Sequence, residues 1–537
     1  MEFSRWTLEQ KIGQMILGGF EGTEPAEHVR TMIKDHHMGG VIYFARNVRH
    51  PAQVAALSRD LQLMAAEAGQ PPLWISIDQE GGMVARITEG VALMPGAMAL
   101  AAGGSAEAAY ESAKISGTEL RALGINLNFA PDLDINVNAM NPVIGVRSFG
   151  EQPDRVAELG VQTLRGYQDA NVVATAKHFP GHGDTHIDSH LDLPVITHSS
   201  ERIRSVELVP FIKAVEAGVD SVMSAHIRFP AFDDSGVPVT LSHRVLTGLL
   251  REELGFAGVI MTDCMEMKAI ADHYGTVHAA VMAVEAGADL VLISHSLELQ
   301  AGAAAALVEA VRSGRISEER IDQSVERLLA LKAKRALAAE PGDFSRIVNT
   351  PEHRSAAERF SEASITLVKD TAGLLPLAAK PTLVLTVEPA AVSLVDESYG
   401  ERATLGSALA AEGIDVRERV IPLTKAGELT QEMLKEAGWY EQIVVGTYNA
   451  HLHPDQVSLV RALLALGKQP VVAALRNPYD LQAYADVPAY VCLYESRPLA
   501  LQSAAKLMSG ALVPQGKLPV TIGESYPAGW GVTSFVR

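Results

Sequence analysis

Short apolar runs that end in polar or glycine-rich loops recur through the first 335 residues. Each run is too short for a helix and rich in β-branched or aliphatic residues, which predicts buried strands. They fall near Met15–Gly18, Gly40–Phe44, Leu73–Ile77, Ile125–Phe129, Val172–Ala176, Ser221–Ala225, Gly258–Thr262 and Leu290–Ser294. Between them lie stretches rich in Ala, Leu and Glu at helical spacing, such as Pro51–Ala68 and Ser105–Leu123. Eight strands alternating with helices predict a (β/α)8 TIM-like barrel over residues 1–335. A doubly wound open sheet is the alternative, but no GxGxxG follows the first strand.

From Lys332 to Arg354 the strand signal stops and charge, Pro and Gly accumulate, as expected of a linker, taken here as residues 336–360. A second alternation follows at Ser364–Val368, Thr382–Val387, Gln442–Thr447, Pro470–Leu475 and Tyr490–Leu493. Five or six strands predict a smaller α/β domain, an αβα sandwich over residues 361–537. No low-complexity tract or short-period repeat interrupts either part.

Composition narrows the function classes. A formal net charge of −19 argues against nucleic acid or an anionic membrane as partner, since either needs a basic face. Only Cys264 and Cys492 are present, so no disulfide framework is implied and a reducing compartment fits. The N-terminal residues carry no apolar signal core, and no apolar run reaches membrane-spanning length. The expectation is a cytoplasmic protein.

Chemistry concentrates at the predicted strand ends, where barrel enzymes keep it. The richest stretch is KHFPGHGDTHIDSH, Lys177 to His190, with four histidines and two aspartates in a loop broken by Pro and Gly. Within it, Asp188 and His190 are two apart. A carboxylate bonded to one imidazole nitrogen makes the other a better base, which suits proton transfer near neutral pH. Asp263 ends the seventh strand as a lone carboxylate on an apolar run, the placement of a nucleophile; a helix cap before MEMKAI is the alternative. Asp78, Arg86, Arg147, Lys177 and His178 would offer donors and acceptors to a ligand rich in hydroxyl groups.

Other chemistries compete. Lys177 could form a Schiff base as barrel aldolase lysines do, and Cys264 could act as a thiol nucleophile. His182, His186 and His190 are spaced by four, but Pro180, Gly181 and Gly183 argue against the helix such a zinc set would need. No metal or other cofactor is expected.

Together these residues resemble glycoside hydrolase family 3, most closely its bacterial β-N-acetylglucosaminidases of the two-domain Gram-positive type. KHFPGHG followed by DSH, DQEGG, RSFG, the TD before MEM and the C-terminal GKLPVTI occur in the family's order. The resemblance covers essentially the whole chain. It implies a retaining exo-glycosidase that removes terminal β-linked N-acetylglucosamine (GlcNAc) from muropeptides or chitooligosaccharides, with peptidoglycan recycling as the setting. By the same resemblance Asp263 is the nucleophile, His190 the general acid/base and Asp188 its partner. Asp78, Arg86, Arg147, Lys177 and His178 hold the sugar. Two departures stand out: Met83 where the family often has Arg, and Cys264 where a second Asp commonly follows the nucleophile. A neutral histidine base would not repel phosphate, so a β-N-acetylglucosaminide phosphorylase is the runner-up. A non-catalytic sugar-binding protein on the same fold is the reading from another class.

Overall fold

The structure, a computed structural model of the chain, describes residues 3–337, 342–390, 403–425, 427 and 430–535. The N-terminal part forms one parallel sheet of eight strands. They are β1 (Ile16–Gly19), β2 (Gly40–Tyr43), β3 (Trp74–Ile77), β4 (Leu127–Asn128), β5 (Val173–Phe179), β6 (Ser221–Ser224), β7 (Val259–Thr262) and β8 (Val291–Ile293). Their order is β8-β1-β2-β3-β4-β5-β6-β7, and a parallel bridge between Met261 and Leu290 brings the two ends together. The predicted barrel is therefore present, nearly closed. All eight strands are buried on both faces, which is why they read as continuous apolar runs rather than alternating ones.

Helices surround the strands and begin where the sequence caps them. Ser105, Ser296 and Ser317 each accept the backbone N–H three residues on, opening Ala106–Ala122, Leu297–Arg312 and Glu318–Lys334. The last of these helps to seal the barrel. Asp289, fully buried before β8, accepts from Arg251 at 2.8 Å, Arg327 at 3.0 Å, Ser324 at 2.7 Å and the Ile260 N–H at 3.0 Å. Asp289→Ala leaves the buried Ser324 hydroxyl and Ile260 N–H without their acceptor and half-buried guanidinium groups without their counter-charge, so it is expected to cost about 3–5 kcal/mol of stability. Chemical denaturation of the purified variant measures this, and a loss below 1 kcal/mol would show that water takes over the carboxylate's role.

The C-terminal part is a second sheet of six strands: β9 (Thr366–Asp370), β10 (Thr382–Val387), β11 (Val416–Ile421), β12 (Gln442–Thr447), β13 (Val471–Ala474) and β14 (Ala489–Cys492). The order is β9-β14-β13-β12-β10-β11, parallel except for β9. Between the two sheets runs the helix Pro351–Ser364, capped by Thr350. It packs Ala356, Ala357 and Phe360 against Leu100 and Ala101 of the barrel part.

A further apolar cluster crosses between the two parts. Met83, Met98, Ala99, Ala102 and Val146 pack with Tyr479, Tyr484, Leu518 and Val520. Met83, the departure noted in the sequence, is thus an apolar anchor for the second domain, and Ser496 Oγ lies 3.8 Å from its sulfur.

Candidate active site

At the C-terminal ends of the barrel strands, titratable side chains converge from β3, β4, β5, β6 and β7. β3 runs into Asp78 and a short hairpin, Gln79–Gly81 paired with Val84–Ala85, that delivers Glu80 and Arg86. Lys177 lies near the end of β5, fully surrounded, with its ammonium 2.9 Å from Asp78 and 2.7 Å from Glu80. Arg147 donates to both Glu80 oxygens at 3.0 and 2.8 Å, while Arg86 lies 3.3 Å from Asp78. Burial alone would raise both carboxyls, but Lys177 and the guanidiniums outweigh it and hold Asp78 and Glu80 well below the ordinary carboxylate range. The result is a fixed lattice of two carboxylates and three cations with its acceptors partly open to solvent.

Beside it is a neutral pocket of imidazoles. His178 donates from Nδ1 to Asp134 at 2.7 Å, and burial lowers its pKa to about 4. His182, bonded to Thr185 and Ser189, is pushed down to about 3 by the same desolvation. His226, on the residue pair after β6, is lowered as well; its Nε2 donates to the Cys264 carbonyl at 2.9 Å. Asp134 itself is raised to about 6 by burial, although it also accepts the His178 and His182 N–H groups.

Asp263 follows β7 directly and keeps one edge exposed. Desolvation works against its charge, yet His226, His178 and His190 prevail and its pKa lies below the ordinary value. Its Oδ1 accepts the Cys264 N–H at 2.7 Å, so the carboxylate does locally resemble a cap, but the helix starts only at Lys268. The capping alternative therefore explains one hydrogen bond and not the ring of imidazoles.

Asp188 and His190 form a dyad. Asp188 Oδ1 takes both the His190 Nδ1–H, at 2.7 Å, and the His190 backbone N–H, at 2.9 Å. Burial raises the Asp188 carboxyl, but the bonds from His190 win and leave it below the ordinary value. With Nδ1 committed, Nε2 is the nitrogen free to exchange a proton. The dyad's loop is moored toward β7: the Ser189 carbonyl accepts from Ala269 N–H at 3.4 Å, and Asp192 lies 3.0 Å from His273. An ionised carboxylate and a carboxylate-supported imidazole on one barrel mouth can attack a carbon centre and move a proton at its leaving group.

Residues 7–331 match the family described as "Glycosyl hydrolase family 3 N terminal domain". The chain belongs to this family. Beta-hexosaminidase A from Pseudoalteromonas piscicida is 31% identical, covering 96% of this chain and 97% of its own. A Beta-N-acetylglucosaminidase/beta-glucosidase from Cellulomonas fimi is 29% identical over 95% and 93%. Among solved structures, a glycoside hydrolase family 3 beta-N-acetylglucosaminidase from Paenibacillus sp. str. FPU-7 superposes with a TM-score of 0.92. It is 49% identical, over 96% of this chain and 99% of that one.

In this family 3 glycoside hydrolase the competing chemistries lose their footing. Asp78 and Glu80 overcome desolvation and raise the Lys177 pKa, so the amine stays protonated, the wrong form to attack a carbonyl. Burial pushes the Cys264 thiol up to about 11, far from a ready thiolate. His182, His186 and His190 bond to different partners, Thr185 and Ser189, Asn138, and Asp188. Asp132, Asp134 and His178 bring possible metal-ligand atoms within 4.8 Å of one another. There the His178 Nδ1–H is spent on Asp134, and the Arg147 cation, 3.7 Å from Asp132, opposes a second positive charge.

Glu80, Asp132 and Asp134 were not among the residues singled out in the sequence. Their signal was present in DQEGG and in the alternating DLD, but their partners come from other strands. Missed entirely was the second domain's hold on the long loop after β4. Tyr479 Oη accepts from Asn136 at 2.7 Å, and His451, bonded to Asp480 at 2.7 Å, donates to the Ala139 carbonyl at 3.1 Å. On the hairpin side, Arg497 donates to the Gly82 carbonyl at 2.7 Å. Gly145 sits at φ +47°, and a Cβ there would meet Asn477 Oδ1 at 2.5 Å. Arg147 and Glu80 are therefore braced from the second domain. A fragment ending at residue 335 would expose Met83, Met98 and Val146, and is expected to lose at least about 90% of turnover or to aggregate. Size-exclusion chromatography and an activity assay on the fragment check this.

Proposed function

We propose that the chain is a retaining exo-β-N-acetylglucosaminidase acting by double displacement, with GlcNAc-terminated muropeptides or chitooligosaccharides as substrates. The observation that carries this reading is the ionised Asp263 surrounded by three imidazoles, one of them supported by Asp188. The full-length likeness to an enzyme described as a beta-N-acetylglucosaminidase supports the sugar class. Two free cysteines fit a reducing compartment, and no helix among the described residues is long and apolar enough to cross a membrane. We place its work in the cytoplasm, on imported cell-wall fragments.

In the first step Asp263 attacks the anomeric carbon while His190, protonated at Nε2, gives its proton to the departing glycosidic oxygen. In the second, neutral His190 takes a proton from water, which attacks the same carbon and releases Asp263 with net retention. Asp78 and Glu80 accept from sugar hydroxyls. Their orientation is set by Lys177, Arg86 and Arg147, which act mainly by pinning these carboxylates. His178, held neutral, offers Nε2 to the sugar as Nδ1 stays on Asp134.

The test compares an aryl β-N-acetylglucosaminide with the matching β-glucoside, each with and without phosphate, following the first-formed sugar by NMR. Free β-GlcNAc at a phosphate-independent rate is expected. GlcNAc 1-phosphate formed only with phosphate would move the assignment to a phosphorylase, turnover of the glucoside alone would remove the N-acetyl preference, and no turnover would leave a sugar-binding protein.

A further inference from the structure

Directly after the nucleophile position the chain leaves β7 through Cys264-Met265-Glu266, and it leaves β8 through Ser294-His295. These two strand ends bring Cys264 Sγ, a Glu266 carboxylate oxygen and a His295 ring nitrogen all within 4.8 Å of one another. Thiolate, imidazole and carboxylate are the donor types that zinc(II) prefers, and three such donors with one open position are the pattern of an accessible site. Cys264 and Glu266 are half-buried, and His295 is exposed, so an ion in solution can reach them.

The three groups are prepared for this rather than merely near. Glu266 is fixed by accepting the His295 N–H at 2.6 Å and the Ser296 N–H at 3.1 Å, one on each oxygen, which leaves further lone pairs on both. The His295 ring stacks on Phe44, with centroids 5.5 Å apart and planes 27° from parallel. Ser294, 1% exposed, sits beside the thiol, and its Oγ makes no hydrogen bond of good geometry. The nearby cation Arg46 is matched by Glu21 at 3.1 Å. Tetrahedral zinc would need donors about 3.5 Å apart, a contraction of roughly 1 Å that an exposed imidazole can supply by rotation.

We propose that Cys264, Glu266 and His295 form a zinc(II) site whose occupation slows turnover. Zinc displaces the thiol proton to solvent and forms a Zn–S bond; with two anionic ligands the bound ion leaves no net charge on the set. Cys264 is also the residue whose N–H holds Asp263 Oδ1 and whose carbonyl holds His226. A metal on its side chain therefore acts on the nucleophile's immediate support, and by replacing the single negative charge of the metal-free set with a neutral one it stabilises the Asp263 carboxylate and weakens it as an attacking group. Only this inhibitory half rests on the assignment of Asp263.

Calorimetric titration of the full chain with zinc chloride in a non-coordinating buffer is the test, with cobalt(II) as a spectroscopic stand-in. One equivalent should bind in the wild type, and Cys264→Ser and His295→Ala should each weaken it at least tenfold. Cobalt should give a near-ultraviolet sulfur-to-metal charge-transfer band that Cys264→Ser abolishes. Zinc should depress turnover reversibly, with recovery on adding EDTA, and His295→Ala should resist it while keeping its metal-free rate. Absence of binding, or binding untouched by both substitutions, overturns the site even if the enzyme proves fully active. Binding of one equivalent without loss of turnover overturns the inhibitory role.

Discussion

Asp263→Asn is expected to lower kcat on the order of 10⁴-fold, equivalent to about 5.5 kcal/mol of barrier, with the fold intact. The substitution keeps the atom that accepts the Cys264 N–H, so the strand end after β7 retains its local bond. It removes only the charge, and with it the ability to form a glycosyl ester. Since His226, His178 and His190 together hold Asp263 in its ionised form below the ordinary carboxylate pKa, the wild-type nucleophile stays charged as pH falls through the mildly acidic range. The stability that Asp263 contributes through its lowered pKa is likewise present above the ordinary carboxylate pKa, and is lost only as pH falls through the lowered value. Steady-state kinetics with circular dichroism as a folding control check the prediction. Retention of more than about a tenth of the activity would move the nucleophile elsewhere, because the general acid and binding contacts alone cannot sustain such a rate. Asp78 and Glu80 would then be the carboxylates to test, although both are already committed to Lys177.

Much of this arrangement was legible in the sequence because it is local. The eight barrel strands announce themselves as apolar runs, each buried on both faces, and the Asp188–His190 pair is fixed by residues two apart. Asp263 was legible as a lone charge at the tip of VIMT. The edge strand Val416–Ile421 was not, because its outer face carries Arg417 and Arg419, which pair with Glu436 and spoil the apolar signal. Glu80 was visible in DQEGG, but its meaning depends on Arg147 and Lys177, which reach it from 67 and 97 residues further along the chain. The brace from Tyr479, His451 and Arg497 lies still further off. Met83 illustrates the same limit: read along the chain it was a missing arginine, and in space it is an apolar contact that ties the hairpin carrying Glu80 to the second domain.

Asp188→Asn is expected to lower turnover by about 10²–10³-fold on substrates with sugar leaving groups, within the range that general acid–base catalysis supplies. Asparagine can still accept the His190 Nδ1–H and backbone N–H through its own oxygen, so the imidazole keeps its orientation. What disappears is the negative charge that supports the imidazolium form of His190. The Asp188 carboxyl lies below the ordinary value because the bonds from His190 outweigh its burial, so in the wild type that charge is present throughout the neutral and mildly acidic range. The loss should shrink for an activated aryl leaving group, which departs without protonation, leaving the water-dependent second step to limit the rate. A burst of aryl alcohol equal to the enzyme concentration is then expected. His190→Ala should give the same burst, and added azide, which attacks without a base, should accelerate its steady state and yield β-glycosyl azide. Equal losses for aryl and sugar leaving groups, with no burst and no azide rescue, would assign the proton transfer to another group. His178 and His226 are poor substitutes, since burial lowers the pKa of both and each already spends a ring N–H on Asp134 or the Cys264 carbonyl. Unlike His178 and His226, His190 is coupled to a carboxylate held below its ordinary pKa, on a loop that reaches across to the β7 end.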